Sequence, residues 1–299
     1  MGPAVAALAV IAAAQTYANP PRGNEATPAA TVTTAVALRT LRPLVIDGKD
    51  LDDVWREAPA ITAFREFSPR EDGDPRFPTE AKVAYDDHNF FVFIRAFDPR
   101  PDSILKRFAR RDVRAPTDQL KIIIDSYHDR RTGYEFAVNP AGVKRDYAIY
   151  NDSQEDDAWD GVWEVATTVD SLGWTAEFRI PLSQLRYARS QTTTFGFAVW
   201  RDIQRFTERM SWPAYRPSRA GLASQLGEVT GLVGLSAPRR LEVKPYGVTK
   251  NVSVPTATGF ERVQKITAGA DIKYGLTSNL TLDAPPTPIS GRWRRTPRC

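Results

Sequence analysis

EAKVAYDDHNFFVFIRAFD, from Glu80 to Asp98, is the stretch that decides the fold. Ahead of the turn DDHN, Ala81, Val83 and Tyr85 share one side of a period of two. After it, Phe90, Val92, Ile94 and Ala96 alternate with Phe91, Phe93, Arg95 and Phe97. A period of two is that of a strand, and the aromatic and β-branched content argues against a buried helix. Two strands around a polar turn make a hairpin. A second strand apolar on nearly both sides belongs at the centre of a sandwich sheet.

The texture continues on the C-terminal side. QLKIIID (119–125) and GYEFAVN (133–139) flank the polar turn SYHDRRT, and KRDYAIY (144–150) follows NPAG. WEVATTV and WTAEFRI form a hairpin around DSLG, with Trp174, Ala176, Phe178 and Ile180 facing one way. TFGFAVWRDIQRF and GEVTGLVGL complete the set, and PLSQL, entered through Pro181, is the one helical turn expected. Short strands separated by turn chemistry read as an all-β, antiparallel β-sandwich over residues 38–236. SAPRR breaks the pattern. Residues 237–284 alternate more thinly, as in Ile266, Ala268, Ala270, Ile272 and Tyr274. Half-polar segments of this kind suit membrane β-barrel strands and extra edge strands of the sandwich equally.

On the N-terminal side, an apolar run from Ala4 to Ala14 is too short to span a bilayer, and small residues at Thr16 and Ala18 suit cleavage. Residues 1–18 are expected to be a signal peptide, although no Lys or Arg precedes Arg22, and the Pro/Ala/Thr-rich residues 19–37 a linker. The expected location is therefore the periplasm, the outer membrane or the cell surface. Cys299 is the only cysteine, so no disulfide forms within the chain, and a large apolar core must hold the fold. The hydrophobic fraction of 42% in 299 residues supplies one. Two histidines, His88 and His128, make a His-based zinc site a poor expectation. The net charge of +4 sits in the tail: without the last fifteen residues, which hold four Arg and no acid, 36 basic residues face 36 acidic ones. With no basic patch interleaved with aromatics elsewhere, nucleic acid is not an expected partner.

VIDGKDLDDVWREAP, AYDDHNFFVFIRAFD, DQLKIIIDSYHDRRTGYEFAVNPAGVKRD, WDGVWEVATTVDSLGWTAEFRIPLSQLRY and WRDIQRFTERMSWP together resemble the carbohydrate-binding module family 9-like domain. In particular, the chain resembles bacterial envelope proteins that carry this domain ahead of an outer-membrane β-barrel of unknown function. The resemblance runs over roughly residues 38–284. It gives LVIDGKDLDDVWREAP (44–59), with its four Asp and single Trp, a structural reading rather than an acidic active site. Asp47-Gly48 turns, Asp52 and Asp53 can cap a short helical turn, and Trp55 can bury its ring.

The resemblance also implies a slot gripping a terminal sugar between two tryptophans with polar helpers. At the matching positions this chain has Ala115 for one Trp, Lys121 for a Glu and Ala137 for an Arg. Asn139 matches, and RAGLASQ (219–225), where the second Trp belongs, holds no aromatic. Trp159 and Trp163, which flank Asp160-Gly161, are the substitutes put forward beside Asn139, and Trp212 and Tyr215 lie in a Pro-rich loop. The run holding Asp152, Glu155, Asp156, Asp157 and Asp160 has hard oxygens for calcium, which related modules bind, but not the spacing of an EF-hand. Asp152, Asp156 and Asp157 are the candidate ligands.

No pair of carboxylates can be placed across a glycosidic bond, since Glu164 and Glu177 lie in strands whose alternation turns them outward. There is no nucleophile elbow, zinc motif or phosphate loop. The leading expectation is a noncatalytic carbohydrate-binding module of an exported envelope protein. An interaction or plug domain for the barrel, without sugar affinity, is the alternative, and a glycosidase the third. Residues 285–299 are expected to be an out-of-frame tail after a truncated barrel at 237–284. Pro286–Cys299 can be encoded so that a shifted frame reads NPDFGQVEADP, the sequence expected next in the barrel family. On that reading, residues 241–299 would be loosely attached.

Overall fold

The computed structural model describes residues 33–188, 190–235, 240–257, 259–275, 281–284 and 289–294. The expected signal peptide, most of the expected linker and most of the expected out-of-frame tail lie outside the described residues. Fourteen strands and one short helix build the sandwich. They are β1 (Thr34–Val36), β2 (Leu38–Arg39), helix α1 (Asp53–Glu57), β3 (Arg65–Ser68), β4 (Thr79–Tyr85), β5 (Asn89–Phe97), β6 (Gln119–Asp125), β7 (Gly133–Val138), β8 (Lys144–Tyr150) and β9 (Gln154–Asp156). Then come β10 (Glu164–Asp170), β11 (Gly173–Pro181), β12 (Thr192–Ile203), β13 (Glu208–Trp212) and β14 (Gly227–Val233).

The smaller sheet runs β10-β11-β5-β4-β2. β5 is its central strand, as a run apolar on both faces requires. The larger sheet runs β1-β14-β12-β6-β7-β8-β9, with β13 added alongside β12 and β3 alongside β13. The long β12 serves two neighbours on one side: its first half pairs with β14 and its second with β13. Pro181 leads into a 3-10 turn at Leu182–Gln184, where a helical turn was expected.

Alternation builds the core. Phe90, Val92, Ile94 and Ala96 of β5 and Trp174, Ala176, Phe178 and Ile180 of β11 meet Leu120, Ile122 and Ile124 of β6, Phe136 of β7 and Phe195, Phe197 and Val199 of β12 in one fully buried cluster. At about 1.5–3 kcal/mol for each large apolar side chain buried, such a cluster holds a domain without disulfides.

Residues 44–59 fold back over the outer face of the smaller sheet. Trp55 is 1% exposed and packs with Leu44, Val54, Phe91 and Phe93, the outward half of β5. Alternation does turn Glu177 away from the main core, but this segment covers it. Trp55 Nε1 donates to its Oε1 at 2.9 Å, and the backbone N–H groups of Asp47 and Gly48 donate to Oε2 at 3.0 Å each. Burial pushes the Glu177 carboxyl above the usual range, while the three donors pull the other way. Gly48 turns at φ +77°. Asp52 occupies the N-cap position of α1 without a side-chain cap and instead accepts from the Val45 backbone at 3.3 Å. The acidic stretch is thus a turn and a lid.

Beyond the sandwich, β15 (Arg240–Thr256) and β16 (Gly259–Gly275) form an antiparallel hairpin, and β17 (Thr281–Ala284) and β18 (Ile289–Arg294) both pair with β16. The described part of residues 241–299 is therefore a continuous four-stranded sheet.

Candidate functional site

On the outer face of the larger sheet, the register lines up side chains from four strands. Trp200 of β12 lies opposite Lys121 of β6, Lys121 opposite Ala137 of β7, and Ala137 opposite Arg145 of β8. At about 4.8 Å between strands this row is roughly 14 Å long. The next row reads Ala198, Ile123, Glu135 and Tyr147 by the same pairings. Asp202 lies opposite both Gln119 and Arg209. Each of these strands sends most of its apolar residues inward, so polar residues of the other parity gather outside around Ile123, Ala137 and Ala198.

The result is a cleft of about 230 Å³, bounded by Ala115, Gln119, Lys121, Glu135, Arg145, Tyr147, Trp200, Asp202, Gln204 and Arg209, with Arg114 and Glu155 at its mouth. One wall is aromatic. Trp200 is half-buried and packs against Phe67 at 4.8 Å and Tyr215 at 5.0 Å between ring centroids. Ion pairs order the rest. Lys121 Nζ donates to Asp202 Oδ2 at 2.7 Å, and Arg145 Nη2 donates to Glu135 Oε1 at 2.8 Å. The Tyr147 hydroxyl donates to Glu135 Oε2, and Arg114 pairs with Glu155. Burial and the adjacent Glu135 carboxylate drive the Tyr147 phenol far up, so it stays protonated.

A larger concavity, about 610 Å³, lies between residues 38–44 and 51–57. No aromatic side chain lines it, and the Arg42–Asp53 ion pair spans its exposed rim. The outer-face cleft is the better-built site, because it combines a flat ring with fixed polar groups.

The residues singled out from sequence do not assemble. Trp163 is 2% exposed and stacked on Phe178 at 5.8 Å between centroids, inside the core, so no face remains for a sugar. Trp159 is half-buried at the rim of that core, against Tyr134 and Phe136. Asn139 is 3% exposed, and its amide is engaged: Nδ2 donates to the Arg107 carbonyl at 2.7 Å, and Oδ1 accepts from the Ala141 and Val143 N–H groups. It holds a turn. Trp212 is likewise core, at 3% exposed.

The three candidate calcium ligands do not converge either. Asp152 caps the 3-10 turn at Ala223–Gln225, accepting from Ser224 N and Ser224 Oγ at 2.8 Å each, and Asp156 accepts from Ala158 N at 3.0 Å. Asp157 points into solvent nearby. Among the described residues, no three His, Cys, Asp or Glu side chains converge on a metal position. The acidic run is spread along a turn, and its best-held oxygens already cap backbone.

Trp200, Glu135, Arg145, Tyr147 and Asp202 are the residues that sequence reasoning passed over as a site, while Lys121 entered it only as the replacement for the family slot's Glu. The signal was present: each is a polar or amphipathic residue at an outward position of an otherwise apolar strand. What was missing was the pairing order that makes four such strands adjacent.

Comparison with known proteins bears on the fold and the family. A family 9 carbohydrate-binding module from Caldicellulosiruptor kristjanssonii, solved with glucose, is 20% identical, with a TM-score of 0.48 over 66% of this chain and 95% of that one. The same organism's module with cellotriose gives 19%, 0.47, 66% and 93%. A protein from Bacteroides uniformis, named as a suspected carbohydrate-binding protein, is 12% identical with a TM-score of 0.54, over 67% of this chain and 99% of that one, and shares the fold. No curated protein matches significantly. Residues 46–230 match the carbohydrate family 9 binding domain-like family, from the Asp47-Gly48 turn to β14, and the chain belongs to that family.

Proposed function

We propose that this domain is a carbohydrate-binding module whose sugar seat is the outer-face cleft, with Trp200 as the stacking platform. The family's domains are noncatalytic binding modules. The observation that carries the reading is the partly exposed indole of Trp200 beside fixed polar groups of both signs. The apolar C–H face of a pyranose packs on an indole, while hydroxyls take hydrogen bonds from groups that cannot swing away. At about 230 Å³ the cleft is smaller than the roughly 300–1,000 Å³ of sites for drug-sized ligands, and suits one sugar ring at a chain end.

A fluorescence-monitored screen of plant, algal and envelope glycans tests this. Binding is expected, and Trp200→Ala should abolish it while Trp159→Ala leaves it intact. The opposite pattern would move the site to the rim of the core, and no binding by the unaltered protein would refute the reading.

The hairpin β15–β16 supports a second element of the reading, an exported envelope protein that continues into an outer-membrane barrel. Its strands are 17 residues each, and Val243, Phe260 and Ile266, which the register puts on one face, are exposed. Transmembrane strands need about 9–11 residues and an apolar outward face. The domain would then present glycan to the barrel, or dock against it. Fractionation of producing cells should find the protein in the envelope; recovery only from cytoplasm would remove this element.

A further inference from the structure

We infer that the cleft selects an acidic sugar, a uronic acid residue, over a neutral hexose; this rests on the reading of the cleft as a sugar site.

The argument is the balance of donors and acceptors. A neutral hexose presents hydroxyls, each of which needs an acceptor as well as a donor. In the cleft most carboxylate oxygens are already engaged. Glu135 gives one oxygen to Arg145 and the other to Tyr147, Glu155 meets Arg114, and Asp202 gives Oδ2 to Lys121. The remaining Asp202 oxygen, Oδ1, has no hydrogen bond and faces Arg209 Nε at 3.5 Å. Asp202 Oδ1, the Thr117 hydroxyl and the amides of Gln119 and Gln204 remain to accept from hydroxyls.

Donors are in surplus. The Arg145 side chain is nine-tenths buried, yet its Nε and Nη1 have no partner. Arg209, half exposed, meets no acid but Asp202. Four cations (Arg114, Lys121, Arg145, Arg209) face three carboxylates (Glu135, Glu155, Asp202) around one small space. Guanidinium N–H groups without hydrogen bonds, in a site with one cation in excess, are costly, and a ligand carboxylate relieves the excess through charge-assisted hydrogen bonds. Trp200 takes the sugar's C–H face, the two amides take its hydroxyls, and the carboxylate lies toward Arg145 and Arg209. The cation already over the Trp200 ring, Lys121 Nζ at 5.8 Å from its centroid, adds attraction on the same side.

Calorimetric titration of the full chain with glucuronic and galacturonic acid oligosaccharides, their methyl esters, and glucose and galactose oligosaccharides tests the inference. The free acids are expected to bind about tenfold more tightly than the esters or neutral sugars. That advantage should shrink as sodium chloride is raised, because the cations at the mouth are solvent-screened. Arg209→Gln should lose most of it with an unchanged melting temperature, since the Arg209 side chain is half exposed and outside the core.

Equal affinity for acids, esters and neutral sugars would overturn the acidic class and leave the sugar site standing. Binding of neither kind would remove both. Acid binding unaffected by Arg209→Gln would also overturn it, since the carboxylate would then lie elsewhere.

Discussion

Asp118 sits just behind the cleft, 1% exposed, with Oδ1 accepting from the backbone of Gln204 at 2.9 Å. Oδ2 has no partner. Burial pushes its carboxyl up to about 6, against the pull of that N–H and of Arg201 and Arg205. In an unfolded chain the value is about 3.9, so the folded state holds this proton more tightly. The contribution to stability is therefore complete below about pH 4 and is lost as pH rises through about 6. Asp118→Asn keeps an oxygen for Gln204 and removes the titration. The melting temperature of the natural protein minus that of D118N is expected to fall between pH 4 and pH 7. A constant difference over that range would show that Asp118 does not titrate there. No sequence pattern exposes such a residue. Asp118 reads as an ordinary loop acid ahead of a strand, and its burial depends on β12 arriving more than 80 positions later.

The hairpin β10–β11 was legible as an element because alternation and the turn DSLG agree. Its register also places Gly173 against β5, which alternation alone does not say. Gly173 has φ +140°, and a Cβ there would lie 2.2 Å from the Ala96 carbonyl oxygen. Gly142, after NPA, also has a positive φ (+77°), but a Cβ there would find its nearest neighbour, Thr167 Oγ1, at 3.8 Å. The two sites separate backbone strain from collision. Gly142→Ala should cost about 1 kcal/mol, the strain alone. Gly173→Ala must also displace the β5 backbone and should cost several-fold more by urea denaturation. Equal costs would mean that β5 yields freely. The cleft is the opposite case, an arrangement of elements that no single element announces. Lys121 and Asp202 are 81 positions apart, and only the order β12-β6-β7-β8 makes Trp200, Lys121 and Arg145 neighbours. Read strand by strand, Lys121 is an anomaly in an apolar run.

At the scale of the molecule, the two sheets are tied together by a segment whose first part composition assigned to a linker. β1 pairs parallel with β14 in the larger sheet, and two residues later β2 pairs parallel with β4 in the smaller one. Ala35 and Ala37 point into the shared core, Ala37 N donates to Thr230 O at 2.8 Å, and Thr40 N donates to Tyr85 O at 2.8 Å. The Tyr85 hydroxyl completes the link by accepting from Val233 N at 3.1 Å. Small alanines let the strand lie close at the sandwich edge, and small residues also make such a strand look like linker. Among the described residues, the apolar clusters of the sandwich fall between residues 35 and 235, with no member from the β15–β18 sheet. Two deletions should therefore behave oppositely. Ending the chain after Leu235 should leave the sandwich's melting temperature and glycan affinity essentially unchanged. Removing residues 33–39 should lower the melting temperature by several degrees, at about 2–4 °C per kcal/mol for a domain of this size. It should also raise hydrogen exchange in β14 and β4, whose edges it uncovers. If the first deletion proved the more damaging, stability would reside in the C-terminal sheet, and the sandwich would need its hairpin to fold.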